Sequence, residues 1–424
     1  MTNSVFLERV FQAYYKERKK EIPSVNLFDQ REFGFIPWYK QIMIRHMGFS
    51  DSMGLRNYLI DNPPRHMYSS GSLYLYPGNQ DMANKEYLGC DLIIDIDVDH
   101  FYTPCKDKHD FWYCQECDKS GKGMIQKCPK CSSLKIKKFS WFCKDCLEIS
   151  KKEIIRLIDK FLVPDFNIQT NEMHIAFSGH RGYHLKVEND KIRKLSSDQR
   201  RELVDYFTGN NISFQILGFE EHSSNIYGFL NNNRDWSKKI IDKLLKMLVN
   251  NTNEGISKIL ENMGLSKNLV KNFLFSKQYF LDILQNNDQN LWNIKGFGMK
   301  IWKKFLTGIV HEIGIEIDEP VTIDIHRLIR YPGSLHGKTG FKVQKLSIEE
   351  LSDFNPLNEN KKHLNPIVFE SKENMQKIEI TSSNLPEFKL RDKSYGPYYK
   401  NDKIEVENHV AILLLCRDVA KLEN

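Results

Sequence analysis

The hydrophobic rhythm of the chain changes several times, and each change predicts a different element. In "DLIIDIDVDH" (Asp91 to His100) apolar and acidic positions alternate. On a strand this puts Ile94, Ile96 and Val98 on one face and Asp95, Asp97 and Asp99 on the other. In "ISKKEIIRLIDKFLV" (149–163) the spacing of Ile154, Ile155, Leu157, Ile158, Phe161 and Leu162 predicts a helix with a broad apolar face. "NEMHIAFSGHRGYHLKV" (Asn171 to Val187) reads as strand, glycine-containing turn, strand. "SSDQRRELVDYF" sets Gln199 three residues after Ser196, the pattern of a capping box that opens a helix. The first twenty residues carry an amphipathic helical pattern with charges throughout. Residues 208–312 hold further helical patterns, such as "DWSKKIIDKLLKMLV" and "VKNFLFSKQYFLDIL". Residues 313–345 return to strands and turns, 354–390 read as polar loop with short strands, and "VENHVAILLLCRDVAKLEN" reads as a final helix. The pattern divides the chain into an α/β core in three pieces (1–100, 149–207 and 313–424), a Cys-rich insert (101–148) and a helical subdomain (208–312). No long-period repeat interrupts it.

Composition changes this picture little. A chain of 424 residues with 41% hydrophobic and 12% aromatic content is globular and long enough for several subdomains. The formal net charge of +6 permits a nucleic-acid partner without pointing to one. The N-terminal stretch lacks the apolar core of a signal peptide, and no apolar run approaches the roughly 18 residues of a membrane span. The expectation is a cytoplasmic protein with no membrane partner.

The nine cysteines do change it. Seven lie between Cys105 and Cys146, and only Cys90 and Cys416 stand apart. Clustered cysteines in an intracellular chain read as metal ligands rather than disulfides. They fall into C-x-x-C knuckles: Cys114/Cys117, Cys128/Cys131 and Cys143/Cys146, with Cys105 and His109 upstream. Eight ligands fit two closed tetrahedral Zn²⁺ sites. We expect a nested arrangement, with Cys114, Cys117, Cys128 and Cys131 inside and Cys105, His109, Cys143 and Cys146 outside. Neither site leaves a position open, so both are expected to be structural.

The acidic face of the Asp91–His100 strand poses a separate question, because close like charges repel. A hard divalent cation such as Mg²⁺ removes that repulsion. Two further segments carry the complementary charge. "FSGHRGYHLKV" sets Ser178, His180, Arg181 and His184 around Gly179 and Gly182, where backbone amides can approach an anion. "HRLIRYPGSLHGKTG" gathers Arg330, Ser334, His336 and Lys338 on a Pro-Gly turn. Each segment alone reads equally well as a solvated turn. Together with the acidic strand they describe a site for two metal ions and a triphosphate, the chemistry of nucleotidyl transfer.

The chain resembles the small catalytic subunit of archaeal and eukaryotic DNA primase. The resemblance rests on "DIDVDH", "SGHRGYH", "DEPVTIDIHRLIRYPGSLHGKTG" and a Cys/His cluster just after the acidic strand, and spans roughly residues 31 to 343. The archaeal branch is closer; the eukaryotic form has Arg at position 180 and Lys at position 330. The inner cysteine ribbon looks like an insertion relative to simpler members. The resemblance implies an archaeo-eukaryotic primase core of mixed sheets flanked by helices, with the zinc module inserted and the helical subdomain attached. It implies catalytic metal ligands at Asp95, Asp97 and Asp318, with Mg²⁺ or Mn²⁺ as the ions. Ser178, His180, Arg181, His184, Arg330 and His336 correspond to residues that bind the incoming nucleotide. Glu32 in "REFGF" and Arg65 to Ser69 in "RHMYS" match more loosely. It implies synthesis of short RNA primers, or of DNA primers, on single-stranded DNA from nucleoside triphosphates, with a large primase subunit as partner. The setting would be the archaeal cytoplasm, or a nucleus if the source is eukaryotic. The alternatives are a related primase-polymerase of repair or mobile elements, and a zinc-ribbon subunit that binds nucleic acid without catalysis. Asp324 in "TIDI" competes with Asp318 for the third carboxylate; the spacing to His336 favours Asp318.

Overall fold

The computed structural model describes residues 1–230, 235–286, 289–371 and 374–423. The chain divides into two units, one made of residues 1–155, 169–200 and 317–424, the other of 156–168 and 201–316.

The first unit is built on two antiparallel sheets. One contains β1 (Arg31–Ile36), β2 (Ile44–Met47), β3 (His66–Tyr74) and β4 (Tyr87–Cys90), together with the strand Leu328–Arg330. Its order is Leu328–Arg330, β3, β1, β2, with β4 also paired to β3. The chain then enters β5 (Leu92–Asp97), the acidic strand. The Cys-rich insert follows as a small three-stranded sheet of β6 (Phe111–Cys114), β7 (Ser120–Lys122) and β8 (Ile136–Phe139), with β6 in the centre. The second large sheet is completed by β9 (Met173–Phe177), β10 (Gly182–Val187) and the strand Gln344–Leu346, in the order Gln344–Leu346, β9, β10, β5.

Alternation along β5 works as its sequence predicts. Leu92, Ile94 and Ile96 are fully buried and pair with Val187, Leu185 and Tyr183, whose side chains are buried on the same face. Asp95 and Asp97 emerge half-buried on the opposite face. The start of the strand is pinned by Asp91, whose buried carboxylate accepts from Arg31 Nη2 at 2.7 Å and Arg193 Nε at 2.6 Å. Removing one partner of such a buried pair typically costs about 3–5 kcal/mol, so the acidic strand has a stiff foundation.

Several elements differ from expectation in instructive ways. The helix expected over 149–163 starts earlier, at Lys144, and its last turn (Ile158–Leu162) widens into a π-helix. The segment between Asp318 and Asp324 is a short helix, Glu319–Ile323, not a strand; Pro320 sits in its first turn, where its missing N–H costs nothing. The expected terminal helix runs only over Asn408–Cys416, apolar on every side from Val410 onward and buried from His409 to Cys416. Asp418 takes a left-handed φ of 55° and the chain continues as the strand Ala420–Leu422, paired with Met375–Ile380. Asn424, the last position of that expected helix, lies outside the described residues. Asn3 clasps the closing strand, donating to Ala420 O at 2.8 Å and accepting from Leu422 N at 3.2 Å. The capping box at Ser196 and Gln199 forms as read, with reciprocal bonds of 3.0 and 3.3 Å.

The second unit is mostly helical: Trp236–Asn250, Asn253–Asn262, Lys267–Phe275, Lys277–Gln285 and Met299–Ile313, plus the hairpin Glu220–His222/Asn225–Tyr227. Its core is aromatic. Trp292 and Trp302 lie 5.3 Å apart between ring centroids, with Phe280 5.1 Å from Trp292 and Phe297 5.1 Å from Trp302. Among the described residues, no helix is long and apolar enough to cross a membrane.

Candidate active site and metal-binding module

The pairing of β5 with β10 sets the acidic residues against the glycine turn. His184 stands opposite Asp95 and Gly182 opposite Asp97. A Cβ on Gly182 would come within 2.5 Å of Ile96 O and 2.8 Å of Asp97 Cα, so only glycine permits this register. Gly179, at φ +83°, turns the chain back, and a Cβ there would strike His336 at 2.7 Å. The Ser178 hydroxyl accepts from Gly182 N (3.2 Å) and His180 N (3.4 Å), and so caps the turn from within.

Asp318 is brought to the acidic strand by its own backbone: its N–H donates to Asp95 O at 2.9 Å. Its carboxylate lies 3.4 Å from His100 Nε2. Burial drives the Asp95 carboxyl well above the usual carboxylate range, and the charges of Asp97 and Asp318 push it further. Asp95 Oδ1 is buried without a hydrogen-bond partner, and His184 Nε2 stands 3.6 Å from it. Three neighbouring carboxylates, one with a buried and unpartnered oxygen, suit a hard divalent cation. Asp324 is engaged elsewhere, accepting from His326 N at 2.8 Å in its own turn.

A basic wall faces the acidic strand. Arg330 Nη1 donates to His66 Nδ1 at 2.6 Å, and its guanidinium lies 5.1 Å from the Tyr68 ring. The His66 and His336 rings are 5.0 Å apart, edge to face, and His336 stacks on His180 at 5.5 Å with the planes 10° apart. Burial lowers the pKa of His66, His180 and His336, helped by the charge of Arg330. Burial also takes His184 to about 3. All four imidazoles are therefore neutral near pH 7, and the positive charge of the wall resides on Arg330 and Lys338. Ser334 turns inward and donates to Tyr331 O at 2.6 Å. Glu32 is fully buried between Lys85 Nζ (2.7 Å) and Arg45 Nε (2.8 Å). Arg65 lies 5.6 Å from the Trp38 ring.

Two residues of the glycine turn are engaged within the protein. His180 Nε2 accepts from Arg417 Nη1 at 2.9 Å, just past the buried helix Asn408–Cys416. The Arg181 guanidinium, 1% exposed, is held by Asp110 at 2.9 and 3.2 Å, by Trp141 O at 2.6 Å and by Asp99. Asp97, Asp99 and His180 also draw together, with ligand atoms within 4.8 Å of one another.

The cysteines gather into the two expected sets. Cys105, His109, Cys143 and Cys146 bring their ligand atoms within 4.8 Å of one another, as do Cys114, Cys117, Cys128 and Cys131. In the outer set Cys105 and Cys146 Sγ are 3.3 Å apart and His109 Nε2 is 3.1 Å from Cys146 Sγ; in the inner set the sulfurs of Cys114/Cys131 and Cys117/Cys128 are 3.5 and 3.6 Å apart. Tetrahedral Zn²⁺ with bonds of about 2.3 Å spaces its sulfurs by about 3.8 Å, so both donor sets fit that ion in chemistry and nearly in size. His109 Nδ1 faces Asp110 Oδ1 at 2.9 Å, a contact that fixes the imidazole with Nε2 turned toward the cysteines.

Sequence reasoning missed Asp110 and Arg417, and it held His66 only within the loosely matched stretch "RHMYS". Asp110 stands next to a predicted ligand, and a carboxylate beside a candidate metal-ligating histidine is the one signal the sequence offers. Arg417 gave none.

An acidic strand facing a basic wall, beside a Cys/His module, is an arrangement chemically suited to metal ions and phosphorylated ligands. Comparison with known sequences makes the class specific. A family model described as DNA primase small subunit matches residues 140–346. The chain is 32% identical to the DNA primase small subunit PriS of Methanothrix thermoacetophila, over 84% of this chain and 85% of that one. It is 28% identical to the protein of that name from Nitrosopumilus maritimus, over 99% of both chains, and 29% to that of Methanosarcina acetivorans, over 98% and 96%. The chain belongs to the DNA primase small subunit family.

Proposed function

We propose that this chain is the catalytic subunit of a DNA primase, joining nucleoside triphosphates into short RNA or DNA primers on a single-stranded DNA template, in complex with a large subunit. The observation that carries the reading is the register of β5 on β10, which sets Asp95 and Asp97 against His184 and the glycine turn. Two Mg²⁺ or Mn²⁺ ions, when bound, would acidify the attacking 3′-hydroxyl and neutralise the triphosphate. Asp95 and Asp97 would hold them, and Asp318 would complete the shell on the primer side. His184, Arg330 and His336 would meet the phosphates, with Lys338 adding charge. Ser178, His180 and Arg181 would shape the turn that offers its backbone amides to the nucleotide. The Cys/His module would hold two structural Zn²⁺ ions. We take residues 1–100, 149–207 and 313–424 as the catalytic core, 101–148 as the zinc module and 208–312 as the helical subdomain.

The test is metal-dependent primer synthesis on single-stranded DNA. Asp318→Asn should nearly abolish synthesis while nucleotide affinity stays near wild type, because the lost interaction serves the chemical step. Asp324→Asn should retain most activity. An active Asp318→Asn with a dead Asp324→Asn would exchange the two residues, and activity in both would remove the third carboxylate from the mechanism.

A further inference from the structure

Asp110 joins two parts of the molecule that the proposed function treats separately. One oxygen, Oδ1, faces His109 Nδ1 at 2.9 Å, accepts from Trp141 N at 2.8 Å and pairs with Arg181 Nη1 at 2.9 Å. The carboxylate is fully buried, and so is the guanidinium that neutralises it. Arg181 in turn reaches Asp99, two residues beyond Asp97, and lies in the turn 178–182. The neighbouring His180 is fixed from the other side by Arg417, whose guanidinium lies 4.8 Å from the Trp141 ring. A single buried oxygen therefore faces a candidate metal ligand and a residue of the turn that faces the acidic strand. Among the described residues the inner cysteine set has no such link: the hydrogen bonds of its ligands run within residues 114–136.

We propose that Asp110 is a positioning residue that couples the outer Cys/His site to the turn 178–182, so that retention of the outer metal and the nucleotide-binding shape of the turn depend on one another. The physical basis is the cost of separation. Moving either His109 or Arg181 leaves a buried carboxylate with one partner fewer, in a place water does not reach. Coupling of this kind is reciprocal: what loosens the turn must also loosen the metal. The proposal rests on the reading that the outer set holds a metal ion and that the turn binds nucleotide.

The test is the release of metal from the full chain to a chromogenic chelator, without nucleotide. Wild type should release two ions, the outer one slowly. Arg181→Lys keeps the charge but cannot bridge Asp110, Asp99 and the Trp141 carbonyl together. It should release the outer ion about tenfold or more faster, although position 181 hydrogen-bonds none of the four outer ligands. Asp110→Asn should do the same, and Cys128→Ser, lacking the inner site, should release its outer ion at the wild-type rate. An outer-ion rate in Arg181→Lys equal to wild type would overturn the proposal; that residue alone decides if Asp110→Asn does not fold. Faster outer release in Cys128→Ser would also overturn it, by showing that any damage to the module has this effect. A second arm adds a saturating nucleoside triphosphate, which should slow outer-ion release in wild type and not in Asp110→Asn. If Arg181→Lys behaves as expected while nucleotide has no effect on wild type, the coupling stands and the nucleotide-binding reading of the turn fails.

Discussion

Replacing Asp95 by Asn should make the protein more stable while making it useless as a catalyst. Residues two apart on a strand are separated by about 6.6–6.8 Å, and Asp95 and Asp97 point to the same face. Two unit negative charges about 7 Å apart in a medium of effective dielectric near 20 repel by about 2 kcal/mol. Asp318 adds to this from across the site; the Asp95 carboxyl is raised first by burial and then by the charges of Asp97 and Asp318. In the unfolded chain the charges are solvated and the repulsion largely vanishes, so it burdens the folded state alone. For a unit of roughly 300 residues the entropy of melting is near 0.6 kcal/mol/K, so relief of about 2 kcal/mol should raise Tm by roughly 3–4 °C. The assay is thermal melting at pH 8 in buffer without added Mg²⁺ or Mn²⁺, followed by a titration with either ion. Wild type should gain stability as the ion binds and close the gap, while Asp95→Asn should respond little. An Asp95→Asn protein that melts at or below wild type without the ion would refute the repulsion argument. Equal stabilisation of both proteins by Mn²⁺ would show that Asp95 is no ligand.

Three further outcomes follow from contacts described above. Elemental analysis should find two zinc equivalents per chain, falling to one in Cys128→Ser, while the melting of the sheet that carries Asp95 stays near wild type. Arg330→Ala should weaken nucleoside triphosphate binding by about 1.5–3 kcal/mol, read by equilibrium titration; unchanged affinity would remove it from the phosphate wall. Burial alone would raise the Glu32 pKa, but bonds from Arg45 and Lys85 overcome it and hold the carboxylate below its ordinary value. A folded pKa below the unfolded one gives stability that is present above about pH 4.3 and lost as pH falls through the folded value. Glu32→Gln should therefore be destabilised by about 3–5 kcal/mol at pH 7 in denaturant melts, with the deficit shrinking toward pH 3.

What could be read from sequence was what local spacing encodes. The acidic strand, the strand–turn–strand of residues 171–187 and the four-ligand sets depend on neighbours a few positions apart. Period-2 alternation and C-x-x-C knuckles express those directly. The segment after Asp318 misled because Pro320 reads equally as a strand breaker and as a helix opener, and tertiary context chose the helix. The terminal helix was read too long because nothing in "CRDVAKL" announces that Asp418 adopts a left-handed turn. Arg181 shows the deeper limit. Its local sequence advertises a phosphate ligand, but its partner Asp110 lies 71 positions away. Burial of a charge is decided by whichever distant group folds against it, and no periodicity carries that information. His66 and Arg330, 264 positions apart, and His180 and Arg417, 237 apart, were hidden for the same reason.

The long separation between His180 and Arg417 also governs when the protein becomes competent during its synthesis. At about 5–20 residues per second, a ribosome needs roughly 10–50 s after adding His180 before it adds Arg417. Once β10 has followed β5 and β9, the acidic strand and its glycine turn can pair, long before position 417 is reached. The fourth strand of that sheet comes only with Gln344–Leu346, and the helix Asn408–Cys416 and the guanidinium that fixes His180 come later still. A nascent chain at this stage exposes the free edge of β9 and an unfilled apolar core, the features that recruit chaperones and seed misassembly. Translation that stalls within this window should therefore yield an insoluble fragment rather than a weak enzyme, and slow codons between 188 and 417 should lower the yield of folded protein more than equally slow codons upstream.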